Sequence, residues 1–384
     1  MRYFLIAGEA SGDLHGAALM RELRKHDADA LFMFFGGDKM AAEARNAPIA
    51  HIRDMAFMGF SAVLRNIGVI RRNMSMAKKE LRASHPDALV LIDYPSFNME
   101  VGKTAAKLGI PVFYYIPPKV WAWKQWRART ILKLCTKVFT IFPFENDFYR
   151  RMGEVREGQL VYAGNPSVEE TDRERTTAMT HEDFLMKYRL RPNRPLVALL
   201  PGSRRGEIMA NLKVMLETMD RFTQYKGVII GAPGIEDEFY NRLLDGREIP
   251  VLRDEAAHIF PHCRGALVTS GTATLEAALC NTPQVAFYRS NGSKAAYKIM
   301  EKILKVKFVT LPNLIADREI IPELLLHNCT ADRASEELAK LLRLDAPARE
   351  AQLEGFKEIR RILGPKNAPE TAASEIFRTI HPGV

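Results

Sequence analysis

Tyr3–Ala7 is the first of a series of short, almost wholly apolar runs, each followed by a longer amphipathic stretch, and that alternation admits few folds. Leu31–Phe35, Ala88–Ile92, Val112–Ile116, Val138–Phe142 and Leu160–Ala163 continue it. Runs this short do not make buried helices, and without polar alternation they do not make half-exposed strands. They read as strands of a parallel sheet covered on both faces by helices, a doubly wound α/β domain. After a polar interval at Glu169–Thr180 a second series begins, with Leu196–Leu200, Val228–Ile230, Val251–Leu252, Ala266–Thr269 and Val285–Phe287. At 384 residues the chain exceeds what one hydrophobic core usually supports, so two α/β domains are expected, over residues 1–168 and 169–345. Beyond Ala331 the strand signal stops. Ala331–Leu344, Ala348–Leu363 and Glu370–Ile380 carry apolar residues at helical spacing, and residues 346–384 are expected to brace the domains, on their own chain or on a partner's.

In an open parallel sheet, ligands gather at the carboxyl ends of the strands, so the turns there are the first place to look for chemistry. Gly8-Glu9-Ala10-Ser11-Gly12-Asp13 follows the first run, with backbone amides and the carboxylates Glu9 and Asp13 at a strand end. It lacks the spacing of a dinucleotide fingerprint. Asp93 ends another strand in Asp93-Tyr94-Pro95-Ser96-Phe97-Asn98, where a carboxylate can take a proton from a hydroxyl. In the second series, Gly202-Ser203-Arg204 and Ser270-Gly271-Thr272 are strand-to-helix turns. Glycines there allow close approach, helix amides suit phosphate, and an arginine can fork onto a diphosphate. Glu276, one turn into the following helix, is placed to receive ribose hydroxyls. Capping of the local helix is the plainer reading of Asp13, Asp93 and Thr272.

Two segments suggest a surface. All three tryptophans, Trp121, Trp123 and Trp126, lie beside Lys119, Lys124, Arg127, Arg129, Lys133 and Lys137 with no acidic residue among them. This combination suits sugar stacking or an anionic interface. Met55–Arg82 mixes Met58, Phe60 and further apolar residues with Arg71, Arg72 and other cations, as a segment lying on anionic lipid would, although a Met-rich core helix fits the pattern equally.

The formal charge of +9 points to a polyanionic partner, but no nucleic-acid-binding module accompanies the basic stretches, so nucleic acid is not expected. Cys135, Cys263, Cys280 and Cys329 are far apart, which excludes a zinc ribbon and fits a reducing cytoplasm. The apolar stretch before Glu9 is too short for a signal peptide or membrane span, so membrane contact should be peripheral. No metal site is expected. Pro261 interrupts the spacing of His258 and His262, and Asp27-Ala28-Asp29 lies in a polar turn.

Gly8-Glu9-Ala10-Ser11-Gly12-Asp13, Val120-Trp121-Ala122-Trp123, Leu200-Pro201-Gly202-Ser203-Arg204, Ser270-Gly271-Thr272-Ala273-Thr274-Leu275-Glu276 and Leu311-Pro312-Asn313-Leu314 together resemble the ordered motifs of the lipid-A-disaccharide synthase family, from about residue 3 to residue 326. The resemblance implies two Rossmann-like domains facing a cleft, the B-type glycosyltransferase fold. It implies a cofactor-free, metal-independent, inverting transfer of 2,3-diacylglucosamine from UDP to 2,3-diacylglucosamine 1-phosphate, at the inner face of the cytoplasmic membrane of a Gram-negative cell. Carried over by position, the family's diphosphate-contacting arginine falls on Arg204, its nucleotide-side glutamate on Glu276, and an active-cleft asparagine on Asn313. The family commonly has Asp where this chain has Ser96, and serine is no substitute for a carboxylate base.

The expected site therefore has Asp93, Glu9 and Asp13 as catalytic candidates. Ser11, Gly12, Asn98, Gly202, Ser203, Arg204, Ser270, Gly271, Thr272, Glu276 and Asn313 are expected at the substrates, and Met58, Phe60, Arg71, Arg72, Trp121 and Trp123 at the membrane or acceptor. The expected partners are the two acylated sugars and an anionic membrane surface, and the C-terminal helices offer a second copy of the chain a place to dock. A UDP-N-acetylglucosamine 2-epimerase would explain the nucleotide turns but not the Trp-rich and Met-rich segments. A non-catalytic basic binding protein would explain the charge and leave the strand-end carboxylates without a role.

Overall fold

The computed structural model describes residues 1–55, 67–176, 179–289 and 307–382. They form two units, Met1–Pro166 with Pro365–Val384, and Ser167–Gly364.

In the first unit the apolar runs become β1 (Arg2–Ala7), β2 (Leu31–Gly36), β3 (Ala50–His51), β4 (Ala88–Ile92), β5 (Val112–Tyr115), β6 (Lys137–Thr140) and β7 (Leu160–Tyr162). They pair in parallel in the order β3-β2-β1-β4-β5-β6-β7. Strand order reverses between β1 and β4, which opens a crevice at their carboxyl ends. Leu5, Val90, Phe113 and Phe139 are fully buried, and each such side chain contributes roughly 1.5–3 kcal/mol. Helix Ala10–His26 lies on the sheet through Gly12, Gly16, Leu19, Met20 and Leu23, at spacings of three and four. Gly12 is held there by contact, since a Cβ would stand 3.1 Å from that of Ala7.

The second sheet is β8 (Leu196–Leu200), β9 (Lys226–Ile230), β10 (Val251–Leu252), β11 (Cys263–Thr269), β12 (Gln284–Tyr288) and β13 (Glu323–Leu325), in the order β10-β9-β8-β11-β12-β13. All its pairings are parallel, and its reversal falls between β8 and β11.

Several expected bounds shift for physical reasons. β5 ends at Tyr115 because Ile116 turns left-handed, with φ 56°. The polar interval after residue 168 is largely helical, within Pro166–Thr176. The C-terminal segment does not stay together. Helix Pro347–Leu363 belongs to the second unit, burying Phe356, Ile359 and Leu363, and its Gln352 pairs with the backbone of Gln284 at 2.9 and 3.0 Å. Helix Ala368–Ile380 belongs to the first, against Ala10–His26, with Phe377 stacked on His26 at 5.8 Å.

Candidate active site

Register places the first pair of turns side by side. Ala7 faces Ile92, so Gly8-Glu9 and Asp93-Tyr94 leave the sheet together at the β1/β4 reversal. Asp93 and Tyr94 are both left-handed, with φ 44° and 45°, a conformation costly for residues with a Cβ. Hydrogen bonds hold it. The Asp93 carbonyl accepts from Asn98 Nδ2 at 2.7 Å and the Tyr114 hydroxyl at 2.8 Å, and the Asp93 N–H donates to the Ile116 carbonyl at 3.3 Å. The Tyr94 ring covers Gly8 so closely that a Cβ there would be 2.2 Å from it, and its hydroxyl donates to the Met55 carbonyl at 3.1 Å.

Burial raises the Asp93 carboxyl from its ordinary value, with the Tyr94 amide and the Lys119 ammonium opposing it. Burial and the nearby Glu9 charge raise the Tyr94 phenol. Glu9 and Asp93 thus both lie near one tyrosine, and a carboxylate held above its ordinary pKa beside a strained turn suits a general base.

Other expected members of this site are spent elsewhere. Asp13 is buried and its carboxylate accepts from the N–H groups of Gly37, Lys39 and Met40 at 2.7, 3.0 and 3.0 Å, capping helix Asp38–Ala44. It is a backbone anchor rather than a catalytic group. Asn98 is fully buried and fixes the Asp93 turn, donating also to the Ile92 carbonyl at 3.1 Å, so it positions rather than binds. Ser11 remains exposed at the turn. Ser96 is exposed too, and accepts from Arg127 at 3.2 Å.

The tryptophan cluster divides. Trp121 is core, edge-on to Phe144, and its Nε1 donates to Glu145 at 3.0 Å, which corrects its expected place at a surface. Trp123 and Trp126 are 59% and 63% exposed, with Lys124 and Arg127 over their rings at 4.2 and 5.5 Å. Glu145, which the sequence did not single out, also accepts from the Ile141 and Phe142 N–H groups, and burial pushes its carboxyl up to about 7. Met58 and Phe60 lie outside the described residues. Arg71 and Arg72 are exposed on helix Ile67–Ser84, whose inner face carries Asn73, Ala77 and Leu81, so this helix is core on one side and basic on the other.

The second pair of turns opens on a cavity of about 700 Å³ at the carboxyl ends of β8, β9 and β11. Gly202, Ser203, Ser270, Gly271, Thr272 and Glu276 all line it. Gly202 has φ 124° and Gly271 φ 159°, which only glycine adopts readily. Buried Asn211 ties the turns together, donating to the Pro201 carbonyl at 3.1 Å and the Thr269 hydroxyl at 3.0 Å. The Ser270 N–H is committed to the Phe287 carbonyl at 2.7 Å and its hydroxyl to the Val309 carbonyl at 2.9 Å, so Ser270 shapes the turn from within. Gly271 and Thr272 are exposed at the mouth.

Arg204 does not line the cavity. Its guanidinium meets Glu207 at 3.2 Å, and the same carboxylate accepts from the Ser203 N–H at 3.2 Å. An incoming anion would compete with Glu207 for both. Burial, with Glu170 and Glu255 nearby, raises the Glu276 carboxyl to about 7, so at neutral pH it can donate or accept a hydrogen bond. Asn313 is fully buried outside the cavity. Its amide donates to the Ile321 carbonyl and Glu323 at 2.9 and 2.8 Å and its oxygen accepts from the Ile320 and Ile321 N–H groups at 2.7 and 2.9 Å, a bracing role in place of the expected contact.

A family model described as lipid-A-disaccharide synthetase matches residues 3–376. The chain is 36% identical to the lipid-A-disaccharide synthase of Myxococcus xanthus, over 100% of this chain and 98% of that protein. It is 34% identical to that of Geobacter sulfurreducens, over 99% and 97%. Among solved structures it resembles UDP-GlcNAc 2-epimerase from Neisseria meningitidis bound to UDP-GlcNAc, with TM-score 0.63 and 12% identity over 98% of this chain and 100% of that one. It also resembles MurG from Acinetobacter baumannii, with TM-score 0.55 and 11% identity over 99% of each. At such identities the likeness is one of fold, the B-type glycosyltransferase fold that the motifs implied, and the epimerase shares that fold without arguing for its reaction.

Proposed function

The chain belongs to the lipid-A-disaccharide synthase family and is a glycosyltransferase, and on that premise we propose that its reaction is divided between the two strand-end sites. The cavity beside Glu276 takes the UDP portion of the donor, and the observation that carries this reading is its position at the β8/β11 reversal between two glycine-bearing turns. Glu276 receives the ribose hydroxyls. Arg204 leaves Glu207 for the diphosphate, whose two charges offer more than one carboxylate.

In the first unit Asp93 takes the proton from the acceptor's 6-hydroxyl, with Glu9 as the second candidate. The hydroxyl oxygen attacks the anomeric carbon from the face opposite UDP, the bond to UDP breaks, and the configuration inverts. The substrates are UDP-2,3-diacylglucosamine and 2,3-diacylglucosamine 1-phosphate, and the products are the β-1,6-linked disaccharide 1-phosphate and UDP. Among the described residues no helix is long and apolar enough to cross a membrane. We place the enzyme peripherally at the cytoplasmic face of the inner membrane, where exposed Arg71, Arg72 and Trp123 face anionic lipid and acyl chains deliver both substrates. A homodimer through the C-terminal helices would use their outer faces, since the inner ones pack within the chain's own units.

The test is UDP release from the diacylated donor in detergent. Release is expected only when the acylated sugar 1-phosphate is present, with one disaccharide formed per UDP. Release without acceptor, or conversion of the donor to its 2-epimer, would contradict the reading.

A further inference from the structure

Away from the nucleotide cavity, the second unit carries a second concavity of about 470 Å³. It lies at the opposite ends of the same strands. Leu196, the first residue of β8, and Cys263, the first of β11, line it, whereas Leu200 and Thr269 at the other ends line the first cavity. A strand the length of β8 separates two such sites by about 13 Å.

The charges around this concavity do not balance. Arg194, Arg264 and Arg349 wall it together with His181 and His262, and no Asp or Glu does. Arg349 donates to the backbone carbonyls of Arg264 at 2.6 Å and Leu341 at 3.1 Å, and Arg194 to the Thr223 carbonyl at 3.1 Å. Neither has a carboxylate partner among the described residues, and the Arg264 guanidinium has neither a hydrogen bond nor an ion pair among them.

Three unfavourable terms therefore fall on Arg349. It is half-buried, which costs a cation its hydration. It sits on the backbone of a second arginine whose charge opposes its own, and burial and Arg264 together hold its pKa below the usual guanidinium value. It also occupies the first turn of helix Pro347–Leu363, where the macrodipole is positive and cations are disfavoured. Glu350, the acidic residue of that turn, is exposed and does not line the concavity. His262 supplies a donor without charge. Burial and His181 lower His262 to about 4, and the two rings meet at 3.4 Å between their Nδ1 atoms.

A bound anion relieves all three terms at once, and a concavity suits a compact tetrahedral anion better than a flat surface would. We propose that the concavity walled by Arg194, Arg264 and Arg349 is a second anion site that binds a phosphate monoester, separate from the nucleotide cavity. The phosphate can belong to a soluble compound or to a lipid headgroup.

Two probes distinguish these sources: inorganic phosphate, and phosphatidylcholine vesicles containing phosphatidic acid. Each is titrated into the parent, Arg264→Gln and Arg194→Gln, with melting temperature and UDP affinity as controls. At least one probe is expected to bind the parent saturably and to lose about tenfold or more in affinity in Arg264→Gln, at unchanged UDP affinity. Any phosphate in the nucleotide cavity is common to parent and variant, so the difference reports the second site. A loss with inorganic phosphate identifies a soluble ligand, and a loss with vesicles alone identifies a headgroup. Should Arg264→Gln unfold, Arg194→Gln carries the comparison. Binding of both probes unchanged in the folded variants, or no binding to the parent, overturns the proposal.

Discussion

The turns at the β1/β4 reversal and those at the β8/β11 reversal occupy equivalent places in two sheets of the same kind, yet they solve opposite problems. The first pair is crowded and acidic. Asp93, Tyr94 and Ile116 take left-handed conformations without being glycine, the Tyr94 ring closes over Gly8, and burial raises the Asp93 carboxyl. The second pair places glycine where φ is positive, at Gly202 and Gly271, and leaves an open cavity beside them. Hydrogen bonds hold the strained Asp93 backbone in one place, as the proposed proton transfer would need. Open backbone beside an exposed arginine leaves room for a large anion, as the proposed donor binding would need. One fold hosts both because the strand ends are fixed by the sheets and the turns are free to differ.

The comparison breaks most sharply at Asp93. If the first turns carry the proton chemistry, Asp93→Asn should lose about 10²- to 10⁴-fold in kcat with UDP affinity intact. Because burial raises this carboxyl and a base must be ionised, activity of the parent should start to fall with decreasing pH earlier than for an ordinary aspartate, and the variant should lose that limb. Steady-state pH profiles of Asp93→Asn and Glu9→Gln check this. A loss confined to Glu9→Gln moves the base to the β1 turn.

The second turns are probed by Arg204→Ala and Glu276→Gln. Hydrogen bonds to charged groups contribute about 1.5–3 kcal/mol, so calorimetry should show UDP affinity in Arg204→Ala reduced by roughly ten- to hundredfold. Glu276→Gln should lose less, because a carboxyl near its pKa at neutral pH is already partly protonated. Equal UDP affinity in a folded Arg204→Ala protein would leave the arginine to Glu207.

The smallest effect concerns the membrane. Replacing Arg71 and Arg72 by Glu should weaken sedimentation with anionic vesicles by about 1 kcal/mol or more per residue at low salt, with the difference shrinking as salt rises. Identical sedimentation of parent and variant would return helix Ile67–Ser84 to a purely structural role.

The sheets were legible because strands buried on both faces must be continuously apolar, and Ala88–Ile92 and Leu196–Leu200 coincide with β4 and β8. Strands β3 and β13 left no such mark. They are two and three residues long at sheet edges, where pairing on one side asks little of the side chains. Which turns gather at the strand ends was legible, but which way a side chain faces was not. Asp13 and Asn313 sit in motif positions and turn inward to satisfy backbone groups, and Trp121 points into the core two residues from exposed Trp123. Glu145, Asn211 and Glu207 went unread because their partners are set by tertiary packing, although Pro143 before Glu145 marks a helix start where a carboxylate caps.

The division of labour itself is tested most directly by amide hydrogen exchange with and without saturating UDP. Slowed exchange is expected at Ser203–Glu207 and Gly271–Glu276, with Gly8–Asp13 and Asp93–Asn98 unchanged. Protection at the β1 and β4 turns with none at the β8 and β11 turns would contradict it.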